Sequence, residues 1–528
     1  MDMGRLLWGV GVVCLLGACA AQVPVVQSPA ELRATHGFVH ASLGSGASVR
    51  LRSLAKGETY DLVSQAQHGP YAYGLWVPEG RYEIVDLRDN AGAAYAPFDV
   101  ARGRVTDLGG IVRLEIGNYE YVRLPIRHPE LAPGLEQAIG ALRPHLATAE
   151  ALEWRPSAPP QAEKQGTPAT NLGLIADLLM EYTRHVNKPP LNQQLKETKT
   201  TEEFFRRAAG AVPPLTDEPA SDAEGRLYYG AELGQIRVRT RNGEWTNLDT
   251  GTLQTLTAVE VSGRKIVAGT ARGEIRVSDE GKIWRRHFSF APEETVADID
   301  RVGERWIVLT VRLSGFNPQA APGAQVQTAD VFKVYSATGD ELAGMTLLRE
   351  LQLPEKVFVI RGMGARGQAM AGGWFINVGS DLLRLDLATL QWSTSTPGHK
   401  VSGFHVSPKT GLLTAYRQQG AFSKLNLTAD QGRTWRPADT PPYIFYDVYF
   451  ESPEKGFATR FNTGAFSSSI EFMAYDPKAD RWQKTYDAPF GCVRVLRDAD
   501  NVQRFCVTSG NSILNYVDGK WVVEAAVN

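Results

Sequence analysis

An eight-residue string occurs twice in this 528-residue chain, as Thr428-Ala429-Asp430-Gln431-Gly432-Arg433-Thr434-Trp435 and, imperfectly, as Val277-Ser278-Asp279-Glu280-Gly281-Lys282-Ile283-Trp284. Its chemistry is that of a hairpin turn. Asp430 can accept hydrogen bonds from the backbone of its own turn, Gly432 allows a conformation closed to residues with side chains, and Trp435 can cover the hairpin from the next strand. The string belongs to a longer period. Trp245, Trp284, Trp392, Trp435, Trp482 and Trp521 each close a strand-rich block, at gaps of 39, 108, 43, 47 and 39 residues. Recurrence near 40 residues marks a repeat architecture. The double-length gap has room for one more unit that has lost its tryptophan near Thr346 to Leu348, and the Ala/Gln/Pro-rich stretch Asn317–Asp330 accounts for the surplus length. Gly420-Ala421-Phe422-Ser423 also returns as Gly464-Ala465-Phe466-Ser467, at a comparable point before the closing tryptophan.

In residue types and order both strings resemble the Asp-box, a structural signature of β-propeller blades. The resemblance covers the C-terminal 300 residues and implies a mainly β chain with a seven-bladed β-propeller over 224–528, six or eight blades being the alternatives. It also implies a structural role for Asp279, Gly281, Trp284, Asp430, Gly432 and Trp435, on outer hairpins away from the axial mouth where propellers bind ligands. Asp-box propellers include sialidases, other glycoside hydrolases, sorting-receptor ectodomains and photosystem-assembly factors, so the likeness spans enzymes and pure binders. Sialidases resemble one another in an arginine cluster, a Tyr/Glu nucleophilic pair, an acidic residue and an Arg-Ile-Pro-type motif. The nearest string here, Arg123-Leu124-Pro125, precedes the propeller, and the remaining arginines form no pattern assignable to three axial positions.

The N-terminus points to a compartment. Arg5 precedes an apolar run from Leu6 to Leu16 that is too short to span a bilayer with ordinary flanks. It ends in Leu16-Gly17-Ala18-Cys19, which resembles a bacterial lipobox. That resemblance implies a signal peptide over 1–18, cleavage before Cys19 and a lipid on its thiol, with the acyl chains anchoring the protein to a membrane. Ala20, where an aspartate would retain a Gram-negative lipoprotein at the inner membrane, implies the outer membrane, facing the periplasm or, alternatively, the cell surface. With 58 acidic against 56 basic residues, no global field argues for nucleic acid as partner.

Once Cys14 leaves with the signal and Cys19 carries lipid, Cys492 and Cys506 remain. They stand symmetrically about Ala499 in two strand-like runs, so a simple hairpin sets them directly opposite each other and predicts a disulfide. A bulge would break that register and leave two buried thiols. Two cysteines without a nearby histidine do not complete a zinc shell, and His36 and His40 share a face without a third ligand, so neither metal nor other cofactor is expected.

Upstream of the repeats, 19–130 contains alternating β-branched runs separated by glycine turns, the pattern of an antiparallel sheet folded into a small β-sandwich. Val77-Pro78-Glu79-Gly80-Arg81-Tyr82-Glu83-Ile84 resembles the hairpin of transthyretin-like or carboxypeptidase-regulatory-like sandwiches. Over 131–223 the period becomes helical. Helices are expected around Leu135–Leu146, after Thr167-Pro168, and from about Thr200, where Glu203 completes a capping-box spacing. Gly362-Met363-Gly364-Ala365-Arg366-Gly367 has the glycine pattern of a dinucleotide loop, but the strand-like segment that follows it makes it a hairpin instead.

These readings converge on a lipid-anchored envelope protein whose propeller serves as a binding or assembly scaffold for another envelope protein or a glycan. Candidate binding loops carry Asn317 and Gln319, Arg417 and Phe422, and Phe461, Asn462 and Phe466. No catalytic residue is assigned. The enzymatic alternative, a sialidase-like glycoside hydrolase, requires arginines and carboxylates converging at the axis.

Overall fold

The computed structural model describes residues 29–526 apart from 45–48, 65–71, 86–96, 118–119, 127, 132–148, 152–162, 165–200, 292, 315–327, 340, 359–364, 371, 443–444, 464–467, 490 and 509. Cys19, the two earlier expected helices, Asn317, Gln319 and Phe466 therefore lie outside the described residues.

Among the described residues, seven four-stranded antiparallel sheets follow one another, each made of four strands consecutive in sequence. They span 220–249, 256–289, 294–358, 367–395, 403–438, 445–487 and 492–525 and are numbered sheets 1 to 7. Their second strands are largely buried; Lys265–Thr270, for example, is buried at every position. A strand with that pattern needs partners on both faces, which neighbouring sheets supply. First strands of successive sheets touch from sheet 1 to sheet 6, which sets them innermost. Sheet 7 then closes on sheet 1: Leu227 and Tyr229 share an apolar cluster with Leu496, Phe505, Val507 and Ile513. Tyr229 donates its hydroxyl to the Arg497 carbonyl at 2.5 Å, and Arg239 pairs with Glu524 at 2.6 Å. The result is a β-propeller.

The six repeating tryptophans stand at or beside the start of a fourth, outermost strand, such as Trp245–Asp249, Trp284–Ser289 and Trp392–Ser395. Sheet 3 alone has none there; its fourth strand, Ala343–Phe358, includes the Thr346 to Leu348 stretch. Strand alternation divides the connections between two faces. Turns from second to third strands and from one sheet to the next lie on one face. Turns from first to second and from third to fourth strands lie on the other.

The N-terminal region is two sheets around a shared core that includes Val39, Leu51, Tyr73, Tyr82, Ile84 and Leu108. Tyr82 secures its hairpin by donating to the Pro78 carbonyl at 2.7 Å. His40 is fully buried and bonded to Asp107 at 2.9 Å. One sheet departs from the expected antiparallel pattern, because His36–Leu43 pairs parallel with Val105–Gly117. Alternation reveals a half-buried strand, not its direction, and the long intervening chain permits a parallel crossover. The stretch expected to be helical also contributes two short strands: Ala149–Ala151 joins Val105–Gly117, and Glu163–Lys164 joins Glu120–Ile126. Segments of two or three residues are too short to show a period.

The helix Thr201–Ala211 forms as expected. Its Phe204 and Ala208 pack between Leu114, Leu124 and Ile126 of the N-terminal region and Ala231, Leu233 and Leu253 of the propeller. The Leu253 amide donates to Glu130 at 2.9 Å, and Arg276 stands 3.4 Å from the same carboxylate. Leu233 and Leu253 belong to second-to-third and inter-sheet connections, so this joint occupies one face, hereafter the docked face. The other is the open face.

Candidate axial site

Because first strands line the axis, polar side chains at their inward positions gather around it. Glu218 leads into sheet 1, Glu260 lies in Leu256–Ser262, Asp298 and Asp300 in Glu294–Val302, and Gln368 in Gly367–Met370 just after Arg366. His405 lies in Gly403–Val406, Asp447 in Phe445–Ser452 and Arg497 ends Cys492–Arg497. The first six of these line a cavity of about 260 Å³. Its rim includes Pro408, Asp498 and Asn501, from first-to-second-strand turns, so it opens on the open face.

One side of this hub is laced with ion pairs. Arg497, only 2 % exposed, donates to Asp447 at 2.5 Å and to the Asn501 carbonyl at 2.8 Å, with Glu218 3.5 Å from its Nε. His405 Nε2 lies 2.6 Å from the other Asp447 oxygen. Arg366, from sheet 4, meets Glu218 at 2.6 Å and also pairs with Asp217. Burial opposes ionisation of Asp447, but Arg497 and His405 outweigh it and hold the carboxyl well below the usual range. Burial and the Arg497 charge lower His405, which favours its neutral imidazole. Burial pushes Glu218 up to about 7 despite Arg497, and it brings Arg366 down to about 10.

The opposite side is acidic and has no cation. Glu260, Asp298 and Asp300 form no ion pair among the described residues. Gly367 positions two of them. Its amide donates to Asp298 at 2.7 Å, and a Cβ there would fall 1.8 Å from the Trp374 ring. Glycine thus admits the indole, which donates to Asp300 at 2.5 Å. Burial raises Asp300 to about 6 even with that bond. Burial, reinforced by the Asp300 charge, raises Glu260 and Asp298 well above their ordinary values. Burial thus favours the protonated forms of Glu260 and Asp298, and a nearby positive charge would favour their ionisation. The arrangement suits a cationic group entering from the open face.

The Asp-box residues lie at the rim, between third and fourth strands. In the fuller copy Asp430 Oδ1 accepts from the Arg433 and Thr434 amides at 3.1 and 2.9 Å, and Oδ2 accepts from the Thr434 hydroxyl at 2.6 Å. In the other copy Asp279 is exposed and faces Lys265 at 3.1 Å. Trp435 and Trp284 each donate to the carbonyl of the box glycine, Gly432 or Gly281, at 3.1 Å. Phe422 lies in a second-to-third-strand connection, Arg417, Phe461 and Asn462 lie in second strands at the ends leading into such connections, and none lines the axial cavity. Phe422 is 77 % exposed, while Asn462 donates to Glu471 at 2.8 Å. Cys492 and Cys506 do form a disulfide, with Cα atoms 5.7 Å apart. They are not directly opposed, however: Cys506 faces Val495 and Cys492 faces Thr508, with the register shift between Cys492 and Arg494 joining the two.

Sequence reasoning missed the hub. Part of its signal was a single charge inside an otherwise apolar opening strand, as in Leu256–Ser262.

Fold and site together define a β-propeller with a charged axial cavity. No protein-family model matches the chain, and no curated protein does. Among solved structures, "YCF48 bound to D1 peptide" is 13% identical, covering 58% of this chain and 90% of that one at a TM-score of 0.37. The crystal structure of the mitotic checkpoint complex is also 13% identical, covering 59% and 89% at 0.37. The computationally designed Ika8 protein is 12% identical, covering 60% and 96% at 0.32. The propeller therefore rests on the strand order and closing contacts of this chain itself.

Proposed function

We propose that this protein is a lipid-anchored binding or assembly protein of the bacterial cell envelope, whose propeller receives a cationic group of a partner protein in the axial cavity. The observation that carries this reading is the asymmetry of the hub: three carboxyls without a cation face two arginines already committed to carboxylates. A lysine, arginine or terminal ammonium entering there gains an acidic partner, while the starting desolvation of these acids makes the uptake selective for charge. A glycan, neutral or anionic, gains less from such a wall. Titration calorimetry with a short lysine-containing peptide and its glutamate counterpart tests this. The lysine peptide binds, and replacing Glu260, Asp298 and Asp300 by their amides weakens it at least tenfold; equal binding of both peptides refutes the reading. Metabolic labelling with an alkyne fatty acid tests the anchor, because Cys19→Ala abolishes incorporation if Cys19 carries lipid.

A sialidase-like hydrolase is the second reading, favoured by the meeting of Arg366, Arg497 and Glu218 at the axis. Against it, Arg366 and Arg497 are held by Asp217, Glu218 and Asp447, leaving neither free for a substrate carboxylate. Sustained turnover of a fluorogenic sialoside, lost in Arg497→Lys, would reverse the preference.

A further inference from the structure

Six of the seven contacts between neighbouring sheets are filled by a shared apolar cluster: sheets 1 and 2, 2 and 3, 3 and 4, 4 and 5, 5 and 6, and 7 and 1. Sheets 6 and 7 share no such cluster among the described residues. Their seam is fastened at its two ends instead. Toward the axis, Thr459 donates to Gln503 at 2.5 Å beside the Asp447–Arg497 pair. Toward the rim, Tyr486 stacks on Tyr516 with ring centroids 3.8 Å apart, and Phe472 meets Trp521 at 5.9 Å. Between these fastenings is a cavity of about 250 Å³ whose walls include Tyr449, Phe457, Phe472, Tyr486 and Tyr516.

We infer that this seam is a specificity pocket that takes an aromatic side chain from the same protein segment that places a cation at the axis; the inference rests on the function proposed above. The two cavities adjoin, since Asn501, in a turn on the open face, lines both. The seam volume falls below the roughly 300–1,000 Å³ of a site for a whole small molecule and suits one large side chain. Aromatic walls favour an aromatic occupant through offset or edge-to-face contacts. Charge fixes what lies beside it: the acidic residues of sheets 2 and 3 stand across the hub from sheets 6 and 7, so the segment carries its basic residue a cavity's width from the ring. An extended chain covers that distance in a few residues, at about 3.3 Å each. The occupant is thus an aromatic-and-basic segment of a partner protein.

Fluorine NMR of 5-fluoroindole with the full chain tests the seam alone. Saturable binding is expected to wild type, retained when Glu260, Asp298 and Asp300 are replaced by their amides, and lost in Ala474→Trp, which extends from the sheet 6 face into the seam. Ala474→Leu, a milder filling, weakens binding severalfold and serves if the larger replacement does not fold. A peptide carrying both tryptophan and lysine binds at least tenfold tighter than its alanine-and-lysine counterpart, and Ala474→Trp or Ala474→Leu erases the difference. Absence of saturable fluoroindole binding to wild type, or binding indifferent to filling at Ala474, overturns the inference. If the lysine peptide binds while fluoroindole does not, the seam fails and the axial reading stands; if fluoroindole binds but neither lysine peptide does, the axial reading fails.

Discussion

The hub and the rim of this propeller use the same side-chain chemistry to opposite ends. At the rim Asp430 is half-buried, and hydrogen bonds from the Thr434 hydroxyl and backbone, Thr428 and Arg433 bring its carboxyl down to about 2. At the hub Asp300 also receives a strong hydrogen bond, yet burial raises it to about 6. Location decides the outcome. Donors stabilise a carboxylate that water already solvates, whereas desolvation outweighs a single donor. Asp430 at the rim is consequently an ionised fastener, whereas burial at the hub opposes ionisation of Asp300.

The sharpest way to break this contrast is Asp447→Ala, which strands Arg497 without its principal counter-ion in a buried site. Urea denaturation should show a loss of about 3–5 kcal/mol, the cost typical of breaking a buried pair. A loss below about 1 kcal/mol would mean that the hub ion pairs contribute little. Next in size is the pH response of Glu218. Its ordinary value is 4.5 and its folded value about 7, so the folded state holds a proton that the unfolded chain has already released. Stability therefore falls as pH rises from about 4.5 to about 7, by roughly 3 kcal/mol from this group. Glu218→Gln flattens that part of the profile; an unchanged slope contradicts the assignment.

Cation uptake gives a smaller effect. Binding expels protons from the acidic wall, so lysine-peptide affinity should rise severalfold between pH 5.5 and 7.5 as Asp300 ionises, with proton release measurable by calorimetry in buffers of different ionisation enthalpy. The rim gives the least. Asp430→Ala should lower the melting temperature by about 1–2 °C, an effect present above pH 4 and fading as the wild-type carboxyl protonates toward pH 2. Asp279→Ala should change it less still, because Lys265 retains Glu341 at 3.0 Å.

What could be read in the sequence follows the same division. The rim was legible because a turn writes its chemistry into consecutive residues: Thr428 to Trp435 holds the acceptor, glycine and covering indole within one string. The missing tryptophan of sheet 3 was legible for the related reason that the repeat fixes where it should fall. At the hub, Glu218 and Arg366 are brought together only by closure of the ring, and no local spacing records that meeting. The disulfide lies between these cases. Proximity of Cys492 and Cys506 followed from hairpin symmetry, whereas their offset depended on a register shift that alternation alone does not encode.

The joint made by Phe204, Leu253 and Glu130 has a directional consequence. It attaches the N-terminal region to one face of the propeller, while Pro408, Asp498 and Asn501 of the axial cavity belong to turns on the other. A partner can then reach the mouth without competing with the attachment for space.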